Sequence, residues 1–254
     1  MNLRRLWLII DRQKASYRTK TKPVFMGALE KQIKPLYEKI ELVSDIRDLE
    51  IPPLNDQAIQ EAYKRLYMAT ALPFAMDKRR QRKWTKGEDE IFEDLIMEQI
   101  LAYLRDYVGS EIRAVGDTSK LLIQRLLDKL IPEIMDQGIG GGGAAQTMLR
   151  DRIKSEWHRA KYYRTERIVR TEVNRAANWG SLEGARSLDI PQNKVWISAF
   201  APESRPEHET ADGQKRDLNE PFEVWGESLM YPGDPAGSGQ NTINCLCSTY
   251  EEVK

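Results

Sequence analysis

Apolar residues recur at helical intervals through most of the chain and alternate only near its end. Ala28 to Leu42 mixes Leu, Ile and Tyr with Lys and Glu at three- and four-residue spacing, and Asn55 to Ala71 does the same before Pro73. Pro52 and Pro53 separate these two predicted helices. The clearest pattern runs from Asp89 to Val108, where Ile91, Phe92, Leu95, Ile96, Ile100, Leu101, Leu104 and Val108 make one broad apolar face and Gly109 is the predicted stop. Ser119 to Met135 repeats Leu122, Leu126, Leu130 and Ile134 every four residues. Ile123, Leu127 and Ile131 widen this stripe, and Pro132 is expected to kink or end it. Two such stripes predict a helical hairpin or bundle in which they face one another.

The run Gly138-Ile139-Gly140-Gly141-Gly142-Gly143 interrupts the pattern, each glycine costing a helix roughly 1 kcal/mol relative to Ala. A phosphate-cradling loop would need a following Gly-Lys-Ser/Thr and a preceding apolar strand, and neither is present. The run therefore predicts a linker at 138–143 between a helical region, 1–137, and a second domain, 144–254. That domain opens with helical stretches at Ala144 to Lys161 and Thr165 to Ser187. From Lys194 the period becomes two, with Val195, Ile197 and Ala199 alternating with Trp196, Ser198 and Phe200. A second strand is expected over Ile243 to Glu251, paired with the first. The predicted class is α+β: a mostly helical N-terminal region, then an α+β C-terminal domain with a small antiparallel sheet.

Composition narrows this picture. Hydrophobic residues are 41% of the chain and charged residues 31%, enough apolar side chain to exclude a wholly disordered protein. The longest apolar stretches, Leu6 to Ile10 and Leu95 to Leu104, fall well short of the roughly 20 residues a bilayer crossing needs, so no membrane partner is expected. Asp11, Arg12 and Lys14 cut off the first run before it could serve as a signal sequence, which points to the cytoplasm as the place of synthesis. Cys245 and Cys247 are the two cysteines, too close in sequence for an easy disulfide, so reduced thiols or a metal are expected. Net charge is zero, yet residues 1–40 hold ten Lys or Arg against three acidic residues, and residues 201–254 hold four against eleven. The two ends should prefer different partners.

Residues 164–186 carry an Arg170-Thr171-Glu172 step on a helix whose small or branched residues Val169, Val173, Ala176 and Gly180 share a face, with Glu166 and Arg170 spaced for an ion pair. Glu172, Asn174 and Asn178 are either surface groups of an amphipathic helix or functional polar groups. Further on come Arg205-Pro-Glu-His208, then Asp212-Gly213, then Pro232-Gly233-Asp234, then Asn244-Cys245-Leu246-Cys247. This ordered set, over about residues 140–252, resembles the Mu F-like head-morphogenesis domain of phage minor head proteins. In that family an Arg-Thr-Glu helix, a Trp-bearing strand, an Arg-x-x-His-x-x-x-Asp-Gly loop, a Pro-Gly-Asp element and a terminal Asn-Cys-Arg-Cys follow one another. The chain departs from the pattern at Ala201-Pro202-Glu203, where an acidic residue is usual, and at Leu246, where Arg is usual. The resemblance implies a structural protein rather than an enzyme. Such a protein is present in few copies inside the capsid near the portal, and it acts in head assembly or in handling DNA during packaging or ejection. Its expected partners are the portal protein and the major capsid or scaffolding protein.

His208, Asp212, Cys245 and Cys247 supply four groups of the kinds zinc accepts. The same residues can instead fasten the tail by hydrogen bonds, with no cofactor at all. A catalytic reading would use His208 with Glu209 or Asp212 as acid and base and Arg205 against an anion, as in a nuclease or transferase. His158, beside Trp157, reads as a surface residue. Double-stranded DNA enters as a partner through Lys78, Arg79, Arg80, Arg82, Lys83 and Lys86, which surround Trp84 and could neutralise phosphates. The alternative is a solvated loop whose charges answer Glu88, Asp89 and Glu90. Arg150, Arg152, Lys154, Arg159, Lys161, Arg164, Arg167 and Arg170 form a second basic stretch open to DNA or protein.

Overall fold

In the computed structural model, which describes residues 2–79, 86–139 and 142–254, four long helices precede a small β region. They are α1 (Leu3–Leu42), α2 (Asp56–Lys78), α3 (Lys86–Met135) and α4 (Gly143–Arg186). The protein is α+β, with the sheets confined to the C-terminal part. No helix among the described residues is long and apolar enough to cross a membrane.

The helices run through the breaks read from the sequence. Asp89 to Val108 and Ser119 to Met135 belong to one helix of 50 residues, so their stripes do not form a hairpin with each other. Gly109 is not in the left-handed conformation that a helix stop requires, and a glycine in right-handed geometry only weakens a helix. Pro73 and Pro132 also lie inside their helices. Each removes one backbone hydrogen bond, but Ala71, Phe74 and Ala75 around the first, and Leu130 and Ile134 around the second, are buried, and that packing holds the helix through the gap. Ala144 to Lys161 and Thr165 to Ser187 likewise merge into α4.

Two compact units divide the chain elsewhere than at the glycine run. One comprises Met1–Lys22, Lys64–Asp106 and Glu166–Lys254; the other comprises Pro23–Tyr63 and Tyr107–Thr165. Each change of unit between residues 22 and 166 falls within one of the four helices. Gly138, with φ of 69°, follows the end of α3 in the left-handed conformation and Gly142 precedes α4, both within the second unit. Residues 140 and 141 lie outside the described part.

The second unit is helical. Phe25, Leu29, Ile33, Leu36 and Ile40 of α1 are fully buried there, as are Ile59 of α2, Ile123 of α3 and Leu149 and Ile153 of α4. A polar thread crosses it: Arg164 Nη2 donates to Ser119 Oγ at 2.8 Å, Ser119 Oγ donates to Gln32 Oε1 at 2.8 Å, and Gln32 Nε2 donates to Asp56 Oδ1 at 2.8 Å. Arg150, Arg152, Arg159 and Lys161 pair with Glu41, Glu133, Glu156 and Glu30, so half of the basic stretch is answered by ion pairs within this unit.

The first unit holds the sheets. β1 (Gln192–Ile197) is the centre of a three-stranded antiparallel sheet, with β2 (Lys215–Asp217) on one side and β5 (Ser248–Val253) on the other. β3 (Phe222–Val224) and β4 (Glu227–Leu229) form a hairpin, and two short helices, α5 (Pro206–Thr210) and α6 (Gly239–Thr242), lie in the connections. The expected pairing of the last strand with the first is present, but its strand begins at Ser248 rather than Ile243. Trp196, Ile197, Phe222, Val224 and Leu229 join Trp7 of α1 in one core cluster that includes both cysteines.

Lys194 is fully buried in β1, donating to the Met230 carbonyl at 2.8 Å with its ammonium 4.9 Å from the Phe222 ring centre. Burial, with help from Arg186, brings its pKa down to about 8, although Glu251, Asp234 and Glu220 pull upward. The unfolded chain keeps this proton until near 10.5, so between these values the unfolded state binds more protons and stability rises with pH. Urea midpoints measured at pH 8 and pH 10 are expected to show that rise, and Lys194→Met to reduce it, the remainder coming from Lys14, whose pKa burial also lowers; an equal rise in the variant would assign the effect elsewhere.

Candidate metal centre

His208 is placed by the start of α5. Pro206 occupies the first helical turn, and the Arg205 carbonyl accepts from the backbone N–H groups of His208 and Glu209, each at 3.0 Å. This turns the imidazole inward, 1% exposed and edge-on to Trp196 at 5.7 Å. The cysteines arrive from the loop after α6. Asn244 takes φ of 59°, a conformation asparagine tolerates, and its N–H donates to Thr171 Oγ1 of α4 at 3.0 Å. The next carbonyl but one, that of Leu246, accepts from Trp7 Nε1 at 3.0 Å. Held at these two points, Cys245 and Cys247 are both buried, reduced and directed at His208.

The tautomer of His208 follows from its neighbours. Asn241 Nδ2 donates to the Val224 carbonyl at 3.2 Å, which leaves Asn241 Oδ1, an acceptor, facing His208 Nε2 at 3.0 Å. Nε2 must therefore carry a proton, and in the neutral ring the free lone pair is on Nδ1. Nδ1 lies 3.4 Å from Cys247 Sγ and 3.6 Å from Cys245 Sγ. One lone pair thus faces two sulfurs almost equally. Nitrogen and sulfur ligands of a tetrahedral zinc, at about 2.0–2.1 and 2.3 Å, lie about 3.6 Å apart. His208, Cys245 and Cys247 can hold a metal ion, their donor atoms all lying within 4.8 Å of one another.

The protonation balance has the same focus. Hydrogen bonding from Cys247, then from His208 and its charge, holds the Cys245 thiol well below its ordinary range against the effect of burial. Burial, then the bond to Cys245 and its charge, push Cys247 well up. Burial lowers His208, but the hydrogen bond to Cys245 and its charge outweigh it and the net shift is upward. Behind the cysteines lies Lys14 of α1, fully buried, its Nζ donating to Asn174 Oδ1 and Ser248 Oγ at 2.8 Å, Asn178 Oδ1 at 3.1 Å and the Cys247 carbonyl at 3.3 Å. Burial pushes its pKa down to about 7, with Cys245 raising it in part.

A cleft above the group is lined by Arg170, Ser204, Arg205 and Asn244 together with the three donors, and leaves about 20 Å³ free, the room of one water molecule. Arg170 and Ser204, which both line it, each hold a donor, Nε and Oγ, that is shielded from solvent and has no hydrogen-bond partner.

Asp212 does not join the group. Its carboxylate accepts from the Ser198 backbone N–H at 2.7 Å, fixing the chain beyond β1, so the expected fourth protein ligand is already engaged elsewhere. Gly213, at φ of 76°, completes that turn by donating to the Trp196 carbonyl at 2.9 Å. Glu209 is exposed, and His208 has Asn241 and the two sulfurs as partners rather than a carboxylate. Arg205 donates to the Ile243 carbonyl at 2.7 Å. Glu172 bonds Tyr67 at 3.1 Å and Arg175 at 2.5 Å, and Arg175 Nε donates to the Gly233 carbonyl at 2.6 Å. Gly233, at φ of 89°, sits so that a Cβ would lie 3.5 Å from the Arg175 backbone. Asn178 Nδ2 donates to the carbonyls of Pro232 at 2.9 Å and Cys247 at 3.1 Å, and Asp234 closes its own loop by accepting from Met230 and Ala236. Glu166 pairs with Lys22 rather than with Arg170.

The basic strip fares differently. Lys78 is turned inward to Glu251 of β5 at 2.5 Å, which removes it from any DNA surface, and Arg79 pairs with Asp89 at 3.3 Å. Arg80, Arg82 and Lys83, and the side chain of Lys86, lie outside the described residues. His158 is exposed, as expected.

Sequence reasoning missed Lys14, Asn241 and Ser204. Lys14 looks like one more cation on a basic helix, and Asn241 and Ser204 sit in turn-rich sequence where such residues are common, so no signal marked them. Comparison with protein-family models, curated proteins and solved structures found no match to the chain.

Proposed function

We propose that this chain is a structural and interaction protein of a bacteriophage head rather than an enzyme, assembled in the host cytoplasm and carried inside the capsid of the virion near the portal. The observation that carries the reading is that the motif pieces, scattered over about ninety residues, meet in one unit. Thr171 of the Arg-Thr-Glu step holds Asn244, Glu172 orients Arg175 onto Gly233, and Asn178 clamps Pro232 and Cys247. His208 then faces both cysteines. Zinc suits this group: it takes two thiolates and one imidazole in tetrahedral array, and two thiolates cancel its charge so that it can be buried. In this role the ion fastens the last strand to the body of the unit.

The free space beside His208 also favours a structural role, since sites for organic ligands enclose about 300–1,000 Å³. The partners implied are the portal protein and the major capsid or scaffolding protein, with double-stranded DNA as a further target of the basic segments. Mass spectrometry of purified procapsids and virions should find the chain, and portal protein should co-purify with it; absence from both particles would overturn the reading. Incubating the protein with DNA, RNA and NAD tests the rival, a nucleic-acid- or nucleotide-directed enzyme built on His208. Turnover by the wild type that His208→Ala lacks would replace a head protein with that enzyme.

A further inference from the structure

We propose that the ion at His208, Cys245 and Cys247 keeps its fourth coordination position for a small anion from solvent, which Arg170 Nε and Ser204 Oγ hold in the cleft above. The inference rests on the zinc reading of the same three residues. Zinc in proteins is almost always four-coordinate, and structural sites normally draw all four ligands from the chain. Here the chain brings three donors together, while Asp212 is engaged with the Ser198 backbone. The space left beside the donors is that of one water molecule, so the fourth ligand is a single small group and not a side chain of the size of Asp or His.

The wall of the cleft selects its charge. Arg170 and Arg205 line it against one carboxylate, that of exposed Glu203. A shielded donor without an acceptor is costly, and two of the residues lining this one cleft carry such a donor, Arg170 at Nε and Ser204 at Oγ. An anion on the open position accepts from both at once. Neutral zinc dithiolate would not repel it, and the second guanidinium, Arg205, adds attraction while its Nη2 stays bound to the Ile243 carbonyl. The ligand class is therefore a compact monodentate anion whose bound atom fills that room, such as chloride or azide held by one terminal nitrogen with its remainder toward the open mouth of the cleft, or water in its absence.

Cobalt(II), which takes zinc's place and reports its ligands by colour, separates the layers of this claim. The full chain titrated with cobalt should develop the thiolate charge-transfer absorption and the strong visible bands of a tetrahedral site, and azide should then shift the visible bands saturably. In Arg170→Gln and in Ser204→Ala, cobalt uptake should be unchanged while the azide affinity falls about tenfold in each, the loss of one hydrogen bond to a charged group. No thiolate absorption at all would overturn the zinc reading and this proposal with it. Thiolate absorption with visible bands that ignore azide would leave the zinc reading standing and overturn the open position. Equal azide affinity in both variants and the wild type would remove Arg170 and Ser204 from the site. Ser204, part-buried at the edge of a loop, makes the test independent of any folding defect caused by altering Arg170 in α4.

Discussion

Protein purified under reducing conditions is expected to carry one zinc per chain, and a chelator is expected to lower its melting temperature by about 10 °C. An ion present at a thousandfold its dissociation constant stabilises the folded state by about 4 kcal/mol. In a chain of this size each kcal/mol corresponds to about 2–4 °C. Cys247→Ser should abolish stoichiometric metal and melt at the temperature of the chelated wild type, because the loop from Ile243 onward then keeps its hydrogen bonds to Thr171, Trp7, Asn178, Lys14 and Arg205 but loses the ion. Affinity should weaken in acid, since His208 and both thiols must shed protons to bind. The competing outcome is concrete: no metal in the purified chain, a melting temperature indifferent to chelator, and a cost of about 1 kcal/mol for Cys245→Ser, the worth of one hydrogen bond. That result would make the group a hydrogen-bonded fastening and remove the ion.

Gly180→Ala is expected to destabilise the protein by about 3 kcal/mol or more, against a slight gain from Gly27→Ala. A Cβ at Gly180 would stand 2.3 Å from the carbonyl oxygen and 2.8 Å from the Cα of Ala71, and one at Gly184 would stand 2.6 Å from the Cα of Ala75. Two glycines four apart on α4 thus lie directly against two alanines four apart on α2, backbone to backbone within the first unit. The atoms in the way are main chain and cannot rotate aside, so the helices must separate; overpacking a core costs about 1–3 kcal/mol even where side chains can adjust. Gly27, in α1, has open space where its Cβ would be, and alanine there should stabilise by about 0.5–1 kcal/mol through helix propensity. Urea denaturation of the two variants beside the wild type measures both shifts. The close-crossing account would be lost if Gly180→Ala unfolded at the wild-type midpoint. The crossing also positions the candidate site, because the same helix presents Asn174 and Asn178 to Lys14 and to the cysteine loop.

Part of this protein is written locally in its sequence. The period of apolar residues marks Asn55 to Ala71, Asp89 to Val108 and Ser119 to Met135 as helical, and the change of period at Lys194 marks the start of the strands, because the faces that must be buried repeat with the geometry of each element. The partnership of the last strand with the first was legible for the same reason; the grouping of His208 with the two cysteines was legible from their ligand chemistry, although both cysteines lie in the loop before β5 and not on a strand face. Where helices end was not legible. Gly109, Pro73 and Pro132 carry local costs of a few kcal/mol at most, and burial of the flanking residues outweighs them, which no count of local propensities contains.

Tertiary structure alone decided the rest. It divided the chain into units made of segments distant in sequence, with the glycine run inside one of them. Asp212 was sent to the Ser198 backbone and Lys78 inward to Glu251, although both residue types suggest a ligand and a DNA contact when read in line. It also buried Lys14 beneath the cysteines and set Asn241 to fix the imidazole tautomer. A sequence names the donors and acceptors, but which of them meet depends on partners 160 or more residues away, as for Lys14 and Asn174. Only the folded chain pairs them, because an unpaired charge or amide is costly once water is excluded.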